Sequence, residues 1–144
     1  MNLFIDSSVL LAACGSTNGA SSAVFELAPK NNWRLLASPY VVSEVLKNLK
    51  LFPSSVTGRW TSLAQQLARV DDILILDRAA VFPVTKDRPI LFSALASADI
   101  LLTLDRADFS ELLGKNFYGL EIMKPGTFLE RERALGRLRQ QIAS

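Results

Sequence analysis

Short apolar runs, each closed by polar or turn-forming residues, recur along the chain: Leu3-Phe4-Ile5, Trp33 to Ala37, Ile73 to Leu76, Ile100 to Thr103, and Leu120 to Met123. Runs of that length bounded by turn formers predict buried strands. The stretches between them change period. Val41, Val42, Val45, Leu46 and Leu49 repeat at helical spacing behind Pro39, and Val56, Trp60, Leu63, Ala64 and Leu67 do so behind Ser54 and Ser55. The segment from Ile90 to Ala98 is apolar on nearly every side, which predicts a helix buried in the middle of the structure. Gly15 to Ser22 is rich in Gly, Ser, Thr and Asn and predicts a loop before the second helix. After the last strand, Pro125-Gly126 interrupts the chain, and the capping-box pattern Thr127-Phe128-Leu129-Glu130 predicts a final helix over about residues 127–142. Leu135, Leu138 and Ile142 would share one face of that helix, with Arg133 and Arg137 pointing away.

Strands alternating with helices imply crossover units. The predicted fold class is α/β: a single three-layer α/β/α domain over residues 1–144, with a mainly parallel central sheet of about five strands. A length of 144 residues suits one core. Hydrophobic residues make up 49% and charged residues 21%, too apolar a balance for a disordered chain. The longest unbroken apolar run, Val9 to Cys14, falls far short of the roughly 20 residues a membrane span needs. No basic leader precedes Asp6, and a lone Cys14 forms no internal disulfide, so the expected location is the cytoplasm.

Composition also narrows the chemistry. There is no histidine, which removes serine–histidine and cysteine–histidine relays, and one thiol cannot build a structural zinc site. Catalysis, if present, would work through the 14 acidic side chains. The net charge of +2 is unevenly distributed: from Lys124 onward five basic residues face two acidic ones, leaving the rest of the chain slightly acidic.

In an open parallel sheet, ligands bind outside the carboxyl ends of the strands. Four acids are predicted at that edge. Asp6 follows the first strand, Glu44 lies early in the helix after the second, Asp87 precedes the buried helix, and Asp105 sits just beyond Thr103. Most have a plainer explanation: Asp87 as a helix N-cap, Glu44 as a solvated side chain, Asp105 as the cap of a helix through Phe109, and the neighbouring Asp108 as a first-turn dipole partner. Asp99 reads as structural. Asp6 resists such an account, because an ionised group at the end of a buried strand is costly unless something neutralises it. Two like charges about 4 Å apart repel by roughly 4 kcal/mol at an effective dielectric of 20, so four gathered carboxylates call for a cation. Oxygen-only ligation selects Mg2+ or Mn2+, and water acidified by such an ion would hydrolyse a phosphodiester without histidine.

These residues resemble the PIN-domain family of metal-dependent nucleases, which includes the VapC-type toxins of toxin–antitoxin pairs. Phe4-Ile5-Asp6-Ser7-Ser8-Val9-Leu10 looks like the family's opening strand, and Ser38 to Leu46 like the segment carrying its acidic helix residue. Lys86-Asp87-Arg88-Pro89-Ile90-Leu91, through Thr103-Leu104-Asp105-Arg106-Ala107-Asp108-Phe109, resembles the third acid, buried helix, strand and Thr-x-Asp signature. Leu120 to Leu129 is similar to the last strand and closing Pro-x-x-Phe-Leu. The likeness runs in order from residue 3 to about 129. It departs from the family at Ser8, where asparagine is common, at Leu104, and at Arg88, both usually small residues.

The resemblance implies an endoribonuclease in which Asp6, Glu44, Asp87 and Asp105 hold Mg2+ or Mn2+. Ser8 and Thr103 would position the site, and Asp108 would be an auxiliary acid. It also implies an RNA substrate and, for a toxin, a cognate antitoxin protein. Arg88, Arg133 and Arg137 are candidate phosphate contacts, although a solvated helix face is the favoured explanation of the last two. Trp60, Phe52 and Leu63 are candidates for a homodimer interface or, for the tryptophan, for the core. The alternative reading is a catalytically weak PIN-like module for binding or interaction. A haloacid-dehalogenase phosphatase would need an aspartate where Ser8 stands, and a P-loop would need Gly-Lys-Ser/Thr after Gly15 and Gly19.

Overall fold

The computed structural model describes residues 1–72, 88–105, 109 and 112–140. Its elements run in the order β1 (Asn2–Ile5), α1 (Ser7–Gly15), α2 (Ala20–Asn31), β2 (Arg34–Ala37), α3 (Pro39–Leu49), α4 (Ser54–Ala64), β3 (Leu67–Arg69), α5 (Arg88–Ser97), β4 (Ile100–Leu102), β5 (Asn116–Phe117), β6 (Leu120–Met123) and α6 (Pro125–Ala134). The strands form one sheet in the order β3-β2-β1-β4-β6-β5. All pairs are parallel except the β5–β6 hairpin. Helices cover both faces, giving the expected three-layer α/β/α domain. α1 packs on α2, α3 and α4, α6 packs on α2, and α5 lies against β1 and β4.

The central strands are apolar from end to end because both faces are covered. Leu3, Phe4 and Ile5 of β1, and Ile100, Leu101 and Leu102 of β4, are buried, and so are Ile90, Leu91, Ala94 and Leu95 of α5. The buried α5 is the helix its all-round apolarity predicts. Trp33 meets Phe128 edge to face, with ring centroids 4.8 Å apart, locking α6 onto the start of β2. Trp60 and Leu63 belong to the core, at 7% and 6% exposure, so of the three interface candidates only Phe52 is exposed.

The structure differs from the sequence expectation in several places. Leu67 leaves the helical pattern, because α4 stops at Ala64 and Leu67 opens β3, which pairs with β2. The expected strand Ile73 to Leu76 lies outside the described residues. α6 starts earlier than its capping box suggests: Pro125, with its fixed φ, takes the first helical position and Lys124 the N-cap. It also ends earlier, at Ala134, where Gly136 at φ +71 turns the chain back. Arg137 therefore leaves the helical face it was expected to share with Arg133. Its guanidinium binds both carboxylate oxygens of Glu132, at 2.6 and 3.1 Å, and Glu132 itself is only 1% exposed.

Beyond that turn the chain is clasped to α2. Asn31 donates through Nδ2 to the Arg139 carbonyl at 2.8 Å and accepts the Arg139 N–H at Oδ1 at 2.7 Å. The side-chain amide thus imitates a strand pairing partner. Met1, Trp33, Glu132, Arg137 and Arg139 line a polar cavity of about 310 Å³ at the amino ends of β1 and β2. Asn31→Ala is expected to cost about 1 kcal/mol in urea unfolding and to raise amide exchange at Arg139, since it removes both bonds of the clasp at a partly exposed site.

Candidate functional site at the sheet's switch point

From β1 the sheet grows one way through β2 to β3 and the other way through β4 to β6. Between β1 and β4 the strand order reverses, and it is outside the carboxyl ends of such a pair that open sheets form their ligand crevice. Asp6 follows β1 there and Thr103 follows β4. The ladder continues across the gap, with Asp6 N–H donating to the Leu102 carbonyl at 3.0 Å and Thr103 N–H to the Met123 carbonyl at 3.1 Å.

Asp6 is 3% exposed and is the N-cap of α1. Its Oδ1 accepts the Ser7 N–H at 2.8 Å, while Oδ2 accepts the hydroxyls of Ser8 and Thr103, each at 2.7 Å. Both hydroxyls relay further. Ser8 Oγ accepts the Leu104 N–H at 3.0 Å, and Thr103 Oγ1 accepts the Asp105 N–H at 3.0 Å. One carboxylate thus organises the start of α1 and the two residues after Thr103 through a closed set of polar contacts. Burial pushes the Asp6 carboxyl above its ordinary value of 3.8, and the nearby charge of Asp105 adds to the rise; the bonds from Ser8, Thr103 and Ser7 oppose it.

Asp105 and Glu44 are half-buried beside this network. Ser7 Oγ lies 3.5 Å from both Asp6 Oδ1 and Glu44 Oε1, so it stands between the two acids. The Asp105 carbonyl accepts the Phe109 N–H at 3.4 Å. Asp99 is structural as expected: its carboxylate accepts the Asn2 N–H at 2.7 Å, while its own N–H donates to the Asn2 carbonyl.

The structure therefore brings together Asp6, Ser8, Thr103 and Asp105, with Glu44 reached through Ser7. Asp87 and Asp108 lie outside the described residues. Arg88 opens α5. Arg133 and Arg137 do not join the acids. α6 carries the chain away from the end of β6, and Arg137 and Arg139 line the cavity beside Met1 and Trp33, at the opposite end of the sheet.

Two serines escaped the sequence reading. Ser7 follows the aspartate as an ordinary helix-starting residue, and its position between two acids depends on how α3 packs. Ser38, the N-cap of α3 at the end of β2, is fully buried with a hydroxyl that has no hydrogen-bond partner. Its signal was present in Ser38-Pro39, a common helix start. Among the described residues, no group of three or more acidic or thiol side chains is gathered closely enough to hold a metal ion. Three of the lone-pair directions on Asp6 are also taken by its own hydrogen bonds. The described donors alone do not make up a divalent-ion site.

By sequence, no known protein family matches the chain, and no curated protein does. Among solved structures, the chain is similar to VapC20 of Mycobacterium tuberculosis, a toxin described as cleaving the sarcin–ricin loop. The identity is 15% and the TM-score 0.45, over 76% of this chain and 93% of that one.

Raising the Asp6 pKa on folding means that the native state holds its proton to higher pH than the unfolded chain does. Asp6 then contributes fully below about pH 3.8, and this contribution is lost as pH rises through the native pKa. In metal-free buffer, urea midpoints for the wild type relative to Asp6→Asn are expected to fall as pH increases from 4 toward neutrality; parallel curves would contradict this. Thr103→Val, which keeps shape but deletes the hydroxyl, is expected to destabilise by about 2 kcal/mol because it strips a bond from Asp6 and orphans the Asp105 N–H.

Proposed function

We propose that this chain is a PIN-like binding and interaction module, weak in catalysis, whose switch-point crevice is the working site. The ordered sequence likeness and the three-layer fold with its mostly parallel sheet support the PIN-like class. The observation that carries the weak-catalysis reading is the Asp6 network: the carboxylate is buried and already bound by Ser7, Ser8 and Thr103. In that state it clamps β1 to β4 and contributes little open coordination.

A second reading is favoured by one specific observation, the charge of Asp105 beside Asp6, with Glu44 reached through Ser7, where a cation would relieve repulsion. In this reading the chain is an Mg2+- or Mn2+-dependent endoribonuclease, the toxin of a toxin–antitoxin pair, with Asp6, Glu44, Asp87 and Asp105 as the acidic set. The ion would supply charge neutralisation and water activation. Ser8 and Thr103 would orient Asp6, and Asp108 would act as an auxiliary acid. Arg88 is the basic candidate placed by sequence next to that set, whereas Arg133 and Arg137 belong to the far end of the domain.

The two readings separate in one experiment. Labelled single-stranded and structured RNAs are incubated with wild type, Asp6→Ala and Asp105→Asn, with Mg2+ or Mn2+, and both binding and cleavage are measured. The first reading expects RNA binding with cleavage no faster than that of either variant. Cleavage by the wild type that falls by about 100-fold or more in both variants would overturn it in favour of the nuclease.

A further inference from the structure

α3 carries two apolar stripes. Val41, Val45 and Leu49 point into the core and are buried. A second set, Pro39, Val42, Ser43, Leu46, Lys47 and Lys50, follows the same helical period on another side. With Arg69 from the edge strand β3 it lines an open, mainly apolar groove of about 600 Å³. Leu46 is 49% exposed at its centre, and the next turn of chain exposes Leu51 and Phe52. An apolar floor that stays open to solvent on the side of an otherwise well-packed helix marks a contact surface.

Among the described residues the charged side chains that line it are all cationic, and the acid Asp72 accepts the Tyr40 N–H beside Pro39 at one end. Lys47, Lys50 and Arg69 are all exposed, and among the described residues none of the three makes an ion pair. Three cations around an apolar strip complement an amphipathic helix whose apolar stripe is flanked by Asp or Glu. A second copy of this chain would bring the same groove to itself and set these cations against their equals. Nucleic acid would satisfy the cations and leave the leucine floor unused.

We propose that the β3 side of α3 is a docking groove for an acidic amphipathic helix of a partner protein. The groove is separate from the switch-point crevice. Glu44 lies on a different side of α3 from Leu46, so occupancy here leaves Asp6 and Asp105 uncovered, and the inference stands whichever use the acids have.

The probe is a synthetic amphipathic peptide of about 18 residues with leucines along one face and glutamates flanking them, beside the same peptide with lysines in place of the glutamates. Binding to the full chain is followed by fluorescence anisotropy at two salt concentrations and by methyl NMR of Val42 and Leu46. The acidic peptide is expected to bind at least about tenfold more tightly than the basic one, to weaken with salt, and to shift both methyl groups. Lys47→Glu with Lys50→Glu should reverse the preference, and Leu46→Asp should abolish binding of either peptide. Because all three substitutions lie on exposed positions, circular dichroism and thermal unfolding confirm that the variants fold. Equal binding of the two peptides, unmoved methyl signals, or methyl groups already shielded from a soluble paramagnetic probe in the free chain would overturn the proposal. So would a homodimer, seen by sedimentation, that Leu46→Asp dissociates.

Discussion

Burying a carboxylate between two parallel strands is the constraint around which this domain is arranged. Asp6 loses its water at the end of β1, and the surrounding chain must replace that water with donors. Ser7 and Ser8 supply them from the first turn of α1, and Thr103 supplies one from β4, 97 positions away in the sequence. The same hydroxyls then accept from Leu104 and Asp105, so the path of the chain leaving β4 is set by the side chain that ends β1. Register between the two central strands, entry into α1 and the position of Asp105 are consequently one problem with one solution. A slip in any of them would leave a buried charge or a buried N–H without a partner.

Much of the architecture is legible in the residues because burial on both faces makes the central strands continuously apolar. Leu3 to Ile5 of β1 and Ile100 to Leu102 of β4 announce themselves this way, and the all-round apolarity of residues 90–98 identifies α5. The failures share a cause. Leu67 fits a helical period with Trp60 and Leu63 and also fits a short strand; pairing with Leu35 decides between them, and that pairing is invisible locally. Thr127 and Glu130 spell a capping box, yet Pro125 pre-sets the helical φ two residues sooner. α6 is shorter than its apolar period suggests, because Leu135 and Leu138 continue the pattern whereas Gly136 at positive φ ends the helix.

For the site, the residue order places these acids at the carboxyl edge, and the structure assigns them unequal environments. Asp6 is buried and bonded, Asp105 is tied by its backbone to Thr103, and Glu44 is held at one remove by Ser7. No local pattern distinguishes these three conditions, since each depends on neighbours from another strand or helix. The basic tail is the clearest case of composition misleading. Five positive residues from Lys124 onward give that end a net positive charge, but buried Glu132 pairs with Arg137 and Glu121 binds Arg131 at 2.5 Å.

The clasp between Asn31 and Arg139 has a geometric corollary. Met1, Arg137 and Arg139 line the same cavity at the amino ends of the strands, so both described ends of the chain gather at one pole. The switch-point crevice occupies the other. A reporter or linker attached beside Met1 or Arg139 would therefore sit at the amino ends of the strands, while Asp6 and Thr103 lie at their carboxyl ends.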